Sequence, residues 1–303
     1  MKQSLFIYII LNFLAIQLLS LELDTVTNVL KVLSIIGILT IGISHGAIDD
    51  VLHFKKLKVN KGPFIFKYVV AIIAYAALWY LFPNAAALGF ILISGYHFGQ
   101  SQFIDYKFTN WITSNLIYLS WGSLVLFIFF YCNAVPLIKD SSQYFGIPKL
   151  LIWLIQNAKY FIISFSVILL VNFIHSLIKK KISFQNAIME LLLLFAISTS
   201  FALIDPLIAF SLFFVILHSY HVMIHEINFL EVKSNGEFIK TLLPFTIISL
   251  VGFTIILSGL YFLGLEIYIP LVTLIIISSV TTPHSFIMAK FYSSNDTYHA
   301  DWT

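Results

Sequence analysis

The chain contains no arginine, a single cysteine (Cys132) and little charge of either sign. Only 10% of its 303 residues are charged, against about 25% in an ordinary soluble domain. Without arginine, the basic charge rests on 17 lysines, and a net charge of +3 offers no patch for nucleic acid. One cysteine excludes an internal disulfide and a cysteine-based metal site. There is no internal repeat, no low-complexity tract and no connecting segment long enough to fold by itself; the longest runs over about 133–149. What fills the chain is apolar: 60% hydrophobic residues, mean hydropathy +0.96, and 30 Phe beside 15 Tyr and 5 Trp. A soluble globular domain is excluded, and one all-α, polytopic integral membrane bundle over residues 1–303 is expected.

Runs long enough to cross a bilayer, about 20 residues each, fall at about 4–21, 31–52, 64–82, 85–105, 111–132, 150–174, 184–203, 207–230, 242–262 and 267–289. Ten transmembrane helices are therefore predicted. Turn chemistry separates them at Asn60-Lys-Gly-Pro63, Pro83-Asn84, Asp140-Ser-Ser142, Asp205-Pro206 and Ser234-Asn-Gly236. The apolar stretch Leu5–Leu19 leads into Leu21-Glu22-Leu23-Asp24 with no small-x-small cleavage pattern, so it is expected to be a retained first helix. Lysines set the orientation. With both termini cytoplasmic, Lys31, Lys139 and Lys149 lie outside, Lys159 lies within a span, and all the others face the cytoplasm.

On that map the histidines share a level. His45, His97, the pair His221 and His225, and His284 lie on spans 2, 4, 8 and 10, all running outside to inside. At about 1.5 Å per residue, each sits roughly 9–15 Å above the lysine at its inner end. Ionisable groups at that depth are costly and face a bundle interior. Imidazoles contributed by four helices at one depth predict a buried metal site.

The densest motif is His218-Ser-Tyr-His221-Val-Met-Ile-His225-Glu226. At 100° per residue its three histidines span about 60° of one face. His221 and His225, one turn apart, are the preferred ligand pair; His218 with His221 is the alternative. Glu226 is an interfacial charge or a hydrogen-bond acceptor behind a ligand. In His45-Gly-Ala-Ile-Asp49-Asp50, His45 is a candidate ligand and Asp49 is placed to orient an imidazole. In Gly95-Tyr96-His97-Phe98-Gly99, a histidine in mid-span stands between glycines suited to close helix packing. In Thr281-Thr-Pro-His284, Pro283 is expected to break span 10, leaving His284 as a further ligand or a pocket residue. Glu190 is read as a partly snorkelled carboxylate, with a hydrogen bond to a ligand histidine as the alternative. His53, Asp50, His175 and His299 read as interfacial or tail residues.

Neutral imidazoles without a carboxylate ligand leave the metal its full charge. Zinc suits them, but it activates water, and hydrocarbon is a poor place for hydrolysis. A redox metal such as Fe(II) with an open position binds O₂. The residues by themselves point to an intramembrane metal-dependent oxidoreductase acting on a lipid-soluble substrate.

His-Gly-x-x-Asp at 45–49, His-Phe-Gly at 97–99, His-x-x-x-His at 221–225 and Pro-His at 283–284 occur in this order across the whole chain. That ordered set resembles the bacteriorhodopsin-related-protein-like (Brp/Blh) family of β-carotene 15,15′-dioxygenases. The resemblance implies cleavage of the central double bond of β-carotene by O₂ into two all-trans-retinal molecules. It also implies one Fe(2+) held by His45, His97, His221 and His225, a bacterial inner membrane, and retinal passed on to a rhodopsin. A polyene would thread an aromatic tunnel, with Tyr96 and Phe98 as candidate lining. The chain departs from the family's usual His-Ser-x-Arg-His: here His218-Ser219 is followed by Val222 at the i+4 position, and the spaced pair is 221/225. Two other classes remain. A histidine-box di-iron hydroxylase or desaturase needs His-x-x-His-His boxes that this chain lacks. A transporter or haem-carrying electron conduit would show several broken helices or a Soret band.

Overall fold

In hydrocarbon every backbone N–H and C=O must be satisfied within its own segment, so apolar runs of this length fold as helices. The computed structural model of the chain describes residues 2–42, 45, 46, 49, 61–108, 110–143, 146–231 and 234–298. Among the described residues there is no strand. The helices are α1 (Lys2–Leu19), α2 (Asp24–Gly37, prolonged by a π-helical turn Ile38–Gly42), α3 (Lys61–Leu81), α4 (Pro83–Gln102), α5 (Trp111–Cys132), α6 (Ala134–Gln143), α7 (Lys149–Gln156), α8 (Ala158–Ile178) and α9 (Phe184–Leu203). Then come α10 (Pro206–Leu230), whose middle third Phe213–Ser219 is π-helical, α11 (Asn235–Phe262) and α12 (Ile269–Tyr298).

Eight of these are long and apolar enough to cross a membrane: α2 with its π turn, α3, α5, α8, α9, α10, α11 and α12. The two other predicted spans fall on α1, whose apolar stretch Ser4–Leu19 is shorter, and on α4. The latter is a full 20 residues but carries buried Ser94, His97, Gln100, Ser101 and Gln102. Lipid-facing apolar side chains such as Phe66, Ile73, Phe195 and Phe286 are exposed, as a bilayer requires.

Helices α5 and α9 begin and end where the sequence predicts. The Asn110 side chain accepts from the Thr113 backbone N–H at 2.9 Å, capping α5. Asp205 caps α10 by accepting from the Leu207 N–H at 3.0 Å, and it pairs with Lys31 at 2.9 Å. Three expectations are corrected. The run 150–174 is not one helix: Asn157 separates α7 from α8, its side chain donating to the Trp153 carbonyl at 2.8 Å. Asp140-Ser-Ser142 is helical, inside α6. Pro283 does not break span 10, because α12 runs through it. A proline removes one donor, here the one that the Ser279 carbonyl would accept, and a transmembrane helix tolerates that loss; one position earlier the Thr282 hydroxyl donates to the Ser278 carbonyl at 2.8 Å.

The chain gathers into two compact units. The first comprises residues 1–48 and 190–256. In it α2 and α10 run in the same direction, since Ser34 meets Ser211 while Gly37 and Gly42, further along, meet Val215 and Phe214. The second comprises residues 49–189 and 257–303. There α3 and α4 form a tight hairpin around Phe82, tied by the Tyr75 hydroxyl donating to the Ala86 carbonyl at 2.8 Å. The Trp79 indole donates to the Ser278 hydroxyl at 2.7 Å and joins α3 to α12. The closest packing is α4 on α5: a Cβ on Gly99 would lie 1.8 Å from the Tyr118 carbonyl oxygen, and one on Gly122 1.8 Å from that of Gly95. Only glycine permits that approach.

Candidate metal-binding histidines

In the first unit, two π-helical segments shape the site. The turn Ile38–Gly42 packs on the segment Phe213–Ser219, and the Phe214 ring occupies the space where a Cβ on Gly42 would lie, 2.6 Å from its Cε1. π turns are rare and gather at functional sites. The His45 backbone N–H donates to Ile41 at 3.3 Å, and its Nδ1 hydrogen-bonds the Gly42 carbonyl. A carbonyl only accepts, so the proton of a neutral His45 belongs on Nδ1 and the lone pair on Nε2, the tautomer a metal ligand needs.

Facing His45 is His218, ring centres 5.1 Å apart and nearly perpendicular. His218 ends a stacked column, with Phe214 at 5.5 Å and Phe210 a further 5.8 Å along. His221 and His225 lie one regular turn apart in the α-helical end of α10, ring centres at 4.8 Å. The predicted three-histidine stripe thus resolves into two pairs, His45 with His218 and His221 with His225. A π-helix carries more residues per turn than the 100° rule assumes, so His218 turns toward α2. His45, His218 and His221 are buried and His225 half-buried. The Nε2 of His221 is buried with no hydrogen-bond partner. Glu226 and Glu190 are each 0% exposed. For Glu190 that corrects the snorkelled reading: its helix face carries it into the protein beside Leu193, Leu194 and Ile197, all buried.

In the second unit, His97 on α4 and His284 on α12 stand edge to face, ring centres 5.0 Å apart. Both are buried. The His284 Nδ1 donates to the Asp49 carboxylate, 2.9 Å from Oδ1 and 3.1 Å from Oδ2. The Tyr68 hydroxyl on α3 donates to the same Oδ2 at 3.0 Å. A carboxylate behind an imidazole fixes its tautomer and orientation and raises its basicity. The imidazole that Asp49 meets is that of His284. Phe98 is buried beside His97, and Tyr96 is turned to α5, its hydroxyl donating to Asn115 Oδ1 at 2.7 Å. His53, Asp50 and His299 lie outside the described residues.

Two imidazoles sharing one ion through bonds of about 2.1 Å have ring centres roughly 5 Å apart. The three pairs, at 5.1, 4.8 and 5.0 Å, meet that condition. Together with the unsatisfied, buried His221 nitrogen, they fit a metal cofactor. Tyr68, Phe214 and Gly42 carried no signal in the sequence. Tyr68 stands 19 residues from Asp49, and the role of Gly42 depends on a π turn that no periodicity announces.

The sequence model of a family described as beta-carotene 15,15′-dioxygenase matches residues 36–292. That stretch holds every histidine described above. No curated protein and no solved structure matches the chain.

Proposed function

Because the chain belongs to the β-carotene 15,15′-dioxygenase family, we propose that it cleaves the central 15,15′ double bond of β-carotene with O₂ to give two all-trans-retinal molecules. Each new carbonyl takes one atom of a single O₂, so no reductant is consumed. The observation that carries this reading is the buried chain Asp49–His284–His97, a carboxylate-oriented imidazole facing a second imidazole on apolar helices.

Fe(2+) is the proposed cofactor, with His45, His97, His221 and His225 as ligands, His284 as a further one, and His218 supporting His45. Bound iron supplies the redox chemistry that makes O₂ reactive toward a polyene. Asp49 holds the proton of His284 on Nδ1, and the Gly42 carbonyl does the same for His45. The apolar helix faces exclude water and admit a substrate that partitions into lipid. β-Carotene has no hydrogen-bonding groups, so the shape of an aromatic tunnel, with Phe98 and Tyr96 proposed in its lining, sets the position of cleavage.

The chain is proposed to act as one ten-span domain in a bacterial inner membrane, with cytoplasmic termini and its retinal passed to a rhodopsin. The test is expression in a bacterium that accumulates β-carotene. Loss of the orange colour with retinal in the extract is expected. Unchanged colour in well-expressing cells, or asymmetric apocarotenals, would refute it.

A further inference from the structure

We propose that Tyr68 is a positioning residue of the metal site, its hydroxyl clamping Asp49 so that His284 is held with Nδ1 as donor and Nε2 as the ligating nitrogen. The inference rests on the metal reading above. It starts from Asp49, which is 3% exposed. A carboxylate buried in an apolar bundle must have its oxygens satisfied by protein donors, because water does not reach it readily. The His284 Nδ1–H supplies one donor, shared between both oxygens at 2.9 and 3.1 Å. A single donor of that kind leaves the carboxyl plane able to swing about it. The Tyr68 hydroxyl supplies a second donor from another helix, at 3.0 Å from Oδ2 alone, and this breaks the symmetry.

Three separate segments are thereby locked: α3 through Tyr68, the segment after α2 through Asp49, and α12 through His284. The Tyr68 ring is itself held, packed against Phe64 one turn earlier with ring centres 5.9 Å apart. The Trp79–Ser278 hydrogen bond fixes α3 against α12 further along, so the hydroxyl reaches Asp49 from a rigid base. Residues that orient a ligand from behind typically change metal affinity by about 10–100-fold. Tyr68 stands one bond further out than Asp49, so its effect belongs at the lower end.

The test is a titration of detergent-purified, iron-stripped full-length protein with Co(II), read from the visible ligand-field bands. It compares wild type, Tyr68→Phe, Asp49→Asn, His284→Ala and the double variant Tyr68→Phe/His284→Ala. Tyr68→Phe is expected to weaken Co(II) binding about tenfold, and Asp49→Asn by more. In the His284→Ala background Tyr68→Phe should cost nothing further. The melting temperature of metal-free Tyr68→Phe should stay at the wild-type value.

Equal losses from Tyr68→Phe with and without His284 would overturn the positioning role, as would unchanged binding in Tyr68→Phe beside weakened binding in His284→Ala. Wild-type binding in His284→Ala itself would remove His284 from the metal site, which is the failure of the underlying reading.

Discussion

Single side chains carry the chemistry, and their roles separate by what each one touches. His97 and His221 are the sharpest tests of the ligand set, since both are buried and His221 has an unsatisfied Nε2. His97→Ala or His221→Ala is expected to abolish retinal formation while leaving expression and membrane insertion intact; chromatography of cell extracts beside an immunoblot of the membrane fraction checks both. Retinal at wild-type yield from either variant would remove that residue from the set. Asp49→Asn keeps the shape but loses the charge behind His284, and a 10–100-fold fall in metal affinity is expected, measured by Co(II) titration. Most of these residues were legible because a histidine in an apolar run has few bland explanations. Tyr68 was not legible, since a tyrosine near a helix start resembles any interfacial aromatic.

At the scale of elements, close packing and irregular turns aim the histidines. Helix α4 reaches α5 through Gly99 and Gly122, where any side chain would enter a neighbouring backbone. Gly99→Ala should cost about 3 kcal/mol, the upper end for overpacking, and lower the melting temperature in detergent; an unshifted melt would show that the helices separate freely. Gly42→Ala drives a methyl into Phe214 and through it disturbs His218 and His45. It should weaken metal binding, and the paired variant Gly42→Ala/Phe214→Leu should recover part of the loss.

Hydropathy fixed α5 and α9 because polar residues bound them: Asn110 caps the start of α5, Ser183 accepts from the Asn186 N–H at the start of α9, and Asp205, the cap of α10, follows its end. It ran α7 into α8 because Gln156, Asn157 and Lys159 form only a short polar interruption between two apolar stretches. The π turns escaped because hydrophobic periodicity assumes 3.6 residues per turn throughout. The wider turns moved His218 off the shared stripe and onto His45.

For the whole molecule, composition alone excluded a soluble domain, and the eight long apolar helices agree. Lysine distribution supports cytoplasmic termini, and this is open to direct measurement. In a Cys132→Ser background, a cysteine at Lys180 should react with an impermeant thiol reagent only from the cytoplasmic side, and one at Lys139 only from outside. The reverse pattern would invert the topology.

The most direct measurement takes the purified chain in detergent, iron-stripped and then reloaded with Fe(2+), and follows β-carotene, O₂ and retinal together. Two retinals formed per β-carotene and per O₂ consumed, only after iron is restored, is the predicted result. Turnover that survives iron removal, or cleavage away from the central bond, would contradict a histidine-held iron centre cutting the polyene at its midpoint.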